Sequence, residues 1–373
     1  MRLKPIDGVL YLWMRARKAL DKRKTGIGRF SPGAIRNILV VSSTAIGDTL
    51  LSTPAIRAVR KKYPQARIVA MFNRDNMELF EGNPHIDAVV PYYGGYRRFF
   101  RTARELRGFG FDLALIFHGN EPQATPMCYL SGAPFIFKLP NDGPYNFLLS
   151  NRTPVAGWEE MGHGIEGRLK AAALAGCAPD GPGMEIGRDR ADEEAVSAFL
   201  SGEGVTRGDV LVGFQTGAST VSRQWFADRF VELGIRLIKR YPRAKVVLTG
   251  SPAEAALCGN IADGIGRGAV VAAGRLKLKQ TPCLIGRLRV LVTGDTGPMH
   301  MAIAVGTPVL ALYAVADHRR TGPLYDGERH IVIQKPRTCV PCLSKKCAYQ
   351  KCMEAISVDE VEAAVGHILE AAP

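Results

Sequence analysis

VLVTGDTGPMHMAIAVGTPVLALY, residues 290–313, carries the reading of the fold. VLVTGD and PVLALY are short apolar runs of the kind that form buried parallel strands. Between them Pro298 suits the first turn of a helix. Its fixed φ is preorganised, and the N–H it lacks is one that a helix start leaves unpaired. A helix is predicted over Met299–Val305. Strand, helix and strand in so short a stretch make a βαβ unit and hence a parallel sheet.

Outward from this stretch the same alternation recurs. Upstream, DVLVGFQT from Asp209, KVVLTG from Lys245 and AVVAAG from Ala269 read as strands, with helices over Ala227–Tyr241 and Ala253–Ile265. Earlier still, NILVVSS from Asn37, ARIVAMF from Ala66, AVVPY from Ala88 and FDLALIFHG from Phe111 read as strands. Helices are expected over Asp48–Tyr63, near Asn76–Glu81 and in YRRFFRTARELRGFG from Tyr96. Residues 178–208, rich in Gly, Pro and charge, interrupt the rhythm and mark a boundary. The expected organisation is a basic segment over 1–36, one doubly wound half over 37–188, a second over 207–335, and a Cys-rich segment with a C-terminal helix over 336–373.

The composition is that of a globular protein, with 46% hydrophobic and 23% charged residues. No apolar run reaches the roughly 18 residues of a membrane span. The N-terminus has the features of no signal peptide, since Arg and Lys interrupt its apolar stretch. The eight cysteines are therefore expected in a reducing cytoplasm. Net charge is +14, and residues 1–36 hold ten Lys or Arg against Asp7 and Asp21. Such an excess suits an anionic partner. A helix over 9–24 would gather Val9, Leu12, Trp13, Ala16 and Leu20 on one face, opposite Arg15, Lys18 and Lys22. That pattern fits either a helix lying in a membrane interface or one packed on its own domain.

In open α/β sheets ligands bind beyond the carboxyl ends of the strands, and four loops there carry chemistry. In Ser43-Thr44-Ala45-Ile46-Gly47-Asp48 no GxGxxG appears. An acid stands at the strand-to-helix turn, as a helix cap or as a general base. In Gly217-Ala218-Ser219 and Ser222-Arg223-Gln224-Trp225, small residues allow close backbone approach, and Arg223 offers paired N–H donors to a phosphate. In Gly250-Ser251-Pro252-Ala253-Glu254 a carboxylate can accept ribose hydroxyls, or simply favour a helix start. In Gly294-Asp295-Thr296-Gly297-Pro298-Met299-His300 a helix N-terminus offers an anion site for a diphosphate. Asp295 would repel phosphate, so it should face something else, such as sugar hydroxyls.

These four loops, in this order, resemble glycosyltransferase family 9, the bacterial heptosyltransferases. The resemblance covers about residues 37–315 and is most specific in DTGPMHMAIAVGTPVLALY. It implies a GT-B fold, with two Rossmann-like doubly wound α/β domains facing across a cleft. It also implies an inverting transfer of heptose from ADP-heptose that requires no cofactor. Asp48 matches the catalytic base and Arg223 the cation, usually Lys, on the donor phosphates. Ser219 matches a hydroxyl on that diphosphate, Glu254 the ribose acid and Leu276 an apolar position near adenine. Thr296 and Gly297 match the phosphate turn, with Asp295 and His300 beside the donor sugar. Gln215 stands where many members carry His.

The implied acceptor is an anionic lipid-linked oligosaccharide, the lipopolysaccharide inner core, at the cytoplasmic face of the inner membrane. The partners are then ADP-heptose, that acceptor and the anionic membrane surface, with no nucleic acid. A protein acceptor is the alternative, and a GT-B nucleotide-sugar epimerase a more distant one. Beyond the last strand lie Cys339, Cys342, Cys347 and Cys352, whose spacing suits a structural zinc or iron site, an iron–sulfur cluster, or simply free thiols or disulfides in a surface loop.

Overall fold

The computed structural model describes residues 5–23, 25–339, 342 and 347–371. The chain divides into two units, Met1–Met184 and Glu185–Pro373. Arg2, Lys4 and Lys24, all in the basic segment, lie outside the described residues.

In unit 1 the strands are β1 (Asn37–Ser42), β2 (Arg67–Asn73), β3 (Ala88–Tyr92), β4 (Leu113–His118) and β5 (Phe135–Lys138). They pair in parallel in the order β3-β2-β1-β4-β5. β1 is central, and Ile38, Leu39, Val40 and Val41 are fully buried. A strand covered on both faces must be apolar throughout, which is why NILVVS shows no alternation. The helices are α1 (Pro5–Ala19), α2 (Ile46–Leu50), α3 (Thr53–Lys62), α4 (Phe99–Arg107), α5 (Ala124–Leu130) and α6 (Gly164–Ala173).

Three expectations change here. The single helix expected over 48–63 is broken into α2 and α3, because Pro54 can start a helix but not continue one. The helix near 76–81 is one turn of 3₁₀, Met77–Phe80. The helix expected over 9–24 runs from Pro5 to Ala19 and packs by a different face.

α1 buries Asp7, Leu10 and Met14 against unit 1. Tyr96 donates to Asp7 Oδ1 at 2.6 Å, which satisfies the buried carboxylate. Just beyond the helix, Tyr129 donates to Asp21 at 2.8 Å. Lys18, expected on the polar face, is half-buried and donates to Thr25, and burial pulls its pKa down. The apolar stripe read from the sequence lies on the opposite side, facing outward: Val9 is 66% exposed, Leu12 69% and Leu20 82%. α1 is therefore packed on its domain and also presents an unpartnered apolar face. Beside it, Phe100 of α4 is 64% exposed and meets Trp13 edge to face at 5.7 Å. Arg17 lies over the Trp13 ring.

In unit 2 the strands are β6 (Val210–Gln215), β7 (Ala244–Thr249), β8 (Ala269–Val271), β9 (Val290–Gly294), β10 (Val309–Tyr313) and β11 (Ile331–Gln334). They are parallel, in the order β11-β10-β9-β6-β7-β8. The helices are α7 (Arg190–Gly202), α8 (Ala227–Arg240), α9 (Ala255–Ile265), α10 (Thr281–Ile285), α11 (Gly297–Val305), α12 (His318–Thr321) and α13 (Val358–Glu370). α13 is part of the core: Val361, Val365 and Ile368 pack with Phe214, Val292 and Leu312 of the sheet. No described helix is long and apolar enough to cross a membrane.

Candidate active site

In each sheet the chain reverses its winding direction once. In unit 1 this happens between β1 and β4, and in unit 2 between β6 and β9. The loops leaving two such strands splay apart and open a crevice for ligand. All the residues singled out from the first, second and fourth loops follow β1, β6 or β9, so sheet order alone puts them at the two switch points.

At the first switch point, α2 opens with Ala45 as its N-cap, and Asp48 stands in the first turn rather than at the cap. Its Oδ1 is 3.1 Å from Arg168 Nη2, and its Oδ2 accepts the Thr44 hydroxyl at 2.9 Å. Thr44 Oγ1 also lies 2.8 Å from His118 Nδ1, at the end of β4, and His118 Nε2 is 3.5 Å from Asp48 Oδ1. Arg168, on α6, is buried, with Nε donated to Ser52 Oγ and Nη1 to the Gly164 carbonyl. Every edge of its guanidinium meets an acceptor, which a buried charge requires. Burial pushes the His118 pKa down to about 4, against the opposing pull of Asp48. The Asp48 carboxylate remains 30% exposed, so a substrate hydroxyl can reach it.

At the second switch point, Arg223 Nη1 is 3.2 Å from Asp295 Oδ2. Tyr313 donates to the other oxygen of Asp295 at 3.4 Å. Asp295 thus faces Arg223 and Tyr313. Arg223 Nε is buried without an acceptor among the described residues. A buried donor left without an acceptor costs about 1–3 kcal/mol, which a bound anion would recover. Gly294 lies so close to the Arg223 carbonyl that a Cβ would come within 2.6 Å of it. This is why the turn after β9 needs glycine there. α11 begins at Thr296, whose Oγ1 is 2.9 Å from Thr293 Oγ1, with Gly297 and Pro298 in its first turn. His300 is buried within α11.

Glu254 joins this group from the loop after β7. Its Oε2 accepts the Ser251 N–H at 2.7 Å and hydroxyl at 3.0 Å, so it closes a helix-start box. Its Oε1 is turned to Gly217, where a Cβ would lie 1.5 Å away. The two sequence readings of Glu254 therefore share one carboxyl group. Ser219 is exposed on the β6 loop, and Leu276 is half-buried after β8. Gln215 is buried, accepts the Thr249 hydroxyl at 2.8 Å and donates to the Gly217 carbonyl at 3.1 Å. It ties β6 to β7 rather than facing ligand. Trp225 is buried and donates its indole N–H to the Ile356 carbonyl, while Gln350 donates to the carbonyls of Gln224 and Trp225.

The four clustered cysteines do not converge. Cys339 is exposed, Cys342, Cys347 and Cys352 are partly buried, and Cys352 Sγ accepts the Thr338 N–H at 3.4 Å. Among the described residues no group of three or more His, Cys, Asp or Glu is placed to hold a metal ion. The other four cysteines are buried.

Sequence reasoning passed over Arg168 and His118 and gave Thr44 no role. The signal for His118 was available, since it ends a strand at the switch point. Arg168 carried none, because its partner is 120 residues away.

The chain matches the model of glycosyltransferase family 9 (heptosyltransferase) over residues 155–353. It is 26% identical to lipopolysaccharide heptosyltransferase 1 of Pseudomonas aeruginosa, covering 84% of this chain and 88% of that protein. The solved structure of ADP-heptose lipopolysaccharide heptosyltransferase II of E. coli superposes with a TM-score of 0.73 at 23% identity, over 89% of this chain and 98% of that one. A glycosyl transferase of family 9 from Veillonella parvula gives 0.75 at 22% identity, over 90% and 98%. The fold class is GT-B.

Proposed function

The chain belongs to glycosyltransferase family 9, and we propose that it moves heptose from ADP-heptose to a hydroxyl of the lipopolysaccharide inner core with inversion. The observation that carries this reading is the cation–acid group at the second switch point. There Arg223 keeps a buried donor without an acceptor among the described residues, beside the start of α11 and one loop from Glu254. A diphosphate fits the guanidinium and the helix amides, and a ribose hydroxyl fits the carboxylate of Glu254.

In the reaction, Asp48 takes the proton of the acceptor hydroxyl as its oxygen bonds to the anomeric carbon. The bond from that carbon to the diphosphate breaks, and ADP leaves with the electron pair. Arg223 and the α11 amides stabilise the negative charge that grows there, the role often given to a divalent metal. Turnover of ADP-heptose with purified lipopolysaccharide acceptor is therefore expected to persist in excess EDTA. A requirement for added Mg²⁺ or Mn²⁺ would contradict this, and heptose appearing on protein instead of lipid would replace the acceptor. A structural zinc or iron on Cys339, Cys342, Cys347 and Cys352 stands outside this chemistry and would have to draw the four thiols together. Elemental analysis of the same sample, beside Cys342→Ser, tests it.

We place the enzyme on the cytoplasmic face of the inner membrane. The outward stripe of α1, with Trp13 and Phe100, supplies apolar contact, and Arg15, Arg17, Arg97, Arg101, Arg104 and Arg107 lie exposed on α1, α4 and the turn into it. Each basic residue near an anionic leaflet contributes about 1 kcal/mol. Sedimentation with phosphatidylglycerol vesicles is expected, with release at high salt. Leu12→Glu with Trp13→Glu should abolish it without changing ADP affinity. Vesicle binding equal to the parent's would remove α1 from the interface.

A further inference from the structure

Asp48 is gripped from two sides by residues that no motif connects to it. From α6, Arg168 contacts Oδ1, and its own position is fixed by Ser52 and Gly164. From β4, His118 reaches Oδ2 through Thr44. A hydroxyl has one hydrogen. If Thr44 gives it to the carboxylate, the imidazole must supply the hydrogen of the second contact, so the proton sits on Nδ1. The donors then run in one direction, from His118 to Thr44 to Asp48 Oδ2, while the unprotonated Nε2 of His118, 3.5 Å from Oδ1, adds no hydrogen bond there.

The two arms differ in kind. His118 is neutral near pH 7, since burial holds its pKa at about 4, so it orients without adding charge. Arg168 is a permanent cation, and Asp48 is what sustains its charge against burial. Coupling is reciprocal, so Arg168 must favour the charged form of Asp48. Among the groups that act on the pair, Arg168 and the neutral His118 lie beside Asp48, and Lys138 acts on His118 from β5. An acid held this way is a weaker base but an ionised one, locked in a single orientation.

We propose that Arg168 is the positioning residue of the transfer reaction, holding Asp48 ionised and aimed while the His118–Thr44 pair fixes its other oxygen. This rests on the reaction proposed above. The test compares the parent with Arg168→Gln, Arg168→Lys and Thr44→Val, taking kcat and the KM for ADP-heptose separately across pH. Arg168→Gln is expected to lose about 100-fold in kcat, the scale of a small misplacement of a reacting group, with KM within a few-fold. Its acidic limb should move to higher pH, and Arg168→Lys should recover part of both. Thr44→Val should lose about 10-fold in kcat. Parent-like kcat and acidic limb in Arg168→Gln overturn the proposal.

If burial makes Arg168→Gln fail to fold, Arg168→Lys in an Asp48→Asn background decides. No further loss is expected there, and an additional loss means that Arg168 acts elsewhere. A ¹³C-carboxyl titration of Asp48, identified by its absence in Asp48→Asn, is read without substrate. A midpoint unmoved in Arg168→Gln, or in Arg168→Met where the Gln variant does not fold, overturns the proposal even if the parent proves not to transfer heptose, an outcome that would sink the reaction reading alone.

Discussion

Asp48→Asn is expected to lower turnover by about 10²–10⁴-fold, the usual worth of a general base, while ADP binds within a few-fold of the parent. The substitution is isosteric, so the packing of α2 should survive. The amide oxygen can still accept from Arg168. What disappears is the capacity to take a proton. The residues proposed to hold the donor, Arg223, Glu254, Asp295 and Thr296, all lie in unit 2, whereas Asp48 lies in unit 1. A base knockout should therefore separate chemistry from donor binding. Calorimetric titration with ADP beside a turnover assay measures both, and near-parent turnover would reduce Asp48 to an acid that favours a helix start through the dipole.

Arg223→Ala and Glu254→Ala should do the reverse and weaken ADP binding itself, each by about 10- to 100-fold for the loss of one charge-assisted hydrogen bond. Arg223→Ala is expected at the upper end. It removes the guanidinium and also leaves Asp295, 3.2 Å from it in the parent, facing the diphosphate without its partner cation. Gly217→Ala offers an independent check. The added methyl cannot coexist with Glu254 Oε1, which sits 1.5 Å from where the carbon would be. Either the carboxylate swings away or the loop shifts, and ADP affinity should fall at least as far as in Glu254→Ala. If Arg223→Ala and Glu254→Ala both bind ADP like the parent, the donor does not sit in unit 2.

The strands β1 to β4 and β6 to β10 could be read from sequence because buried parallel strands are apolar on both faces, a pattern that stands out against helices. β5 and β11 escaped because in each the apolar run is three residues closed by Lys138 or Gln334, whereas the run that marks β8 continues through Ala272 and Ala273. α1 was found: the stripe read from the sequence faces outward, while a second one meets the core. It carries two apolar stripes, Leu10 with Met14 and Val9 with Trp13, Ala16 and Leu20. Periodicity says that a stripe exists, not which one meets the core. The loops that hold the candidate site were legible because glycine, proline and acid cluster at strand ends. The surroundings of Asp48 were not. Arg168 lies on a short helix of weak amphipathicity, GIEGRLKAAA, and only the packing of α6 beside α3 and β4 turns it into a neighbour of the carboxylate.

The place of α13 bears on how this enzyme can be cut. The match to the family model ends at residue 353, short of that helix. A truncation there deletes Ile356, Val358, Val361, Val365 and Ile368, all buried in the same core as β6, β9 and β10. At about 1.5–3 kcal/mol for each buried aliphatic side chain, the loss is about 7–15 kcal/mol, as large as the whole net stability of a typical domain. Recombinant fragments of unit 2 should therefore extend through Glu370, and a chain trimmed at residue 353 would be recovered as insoluble material.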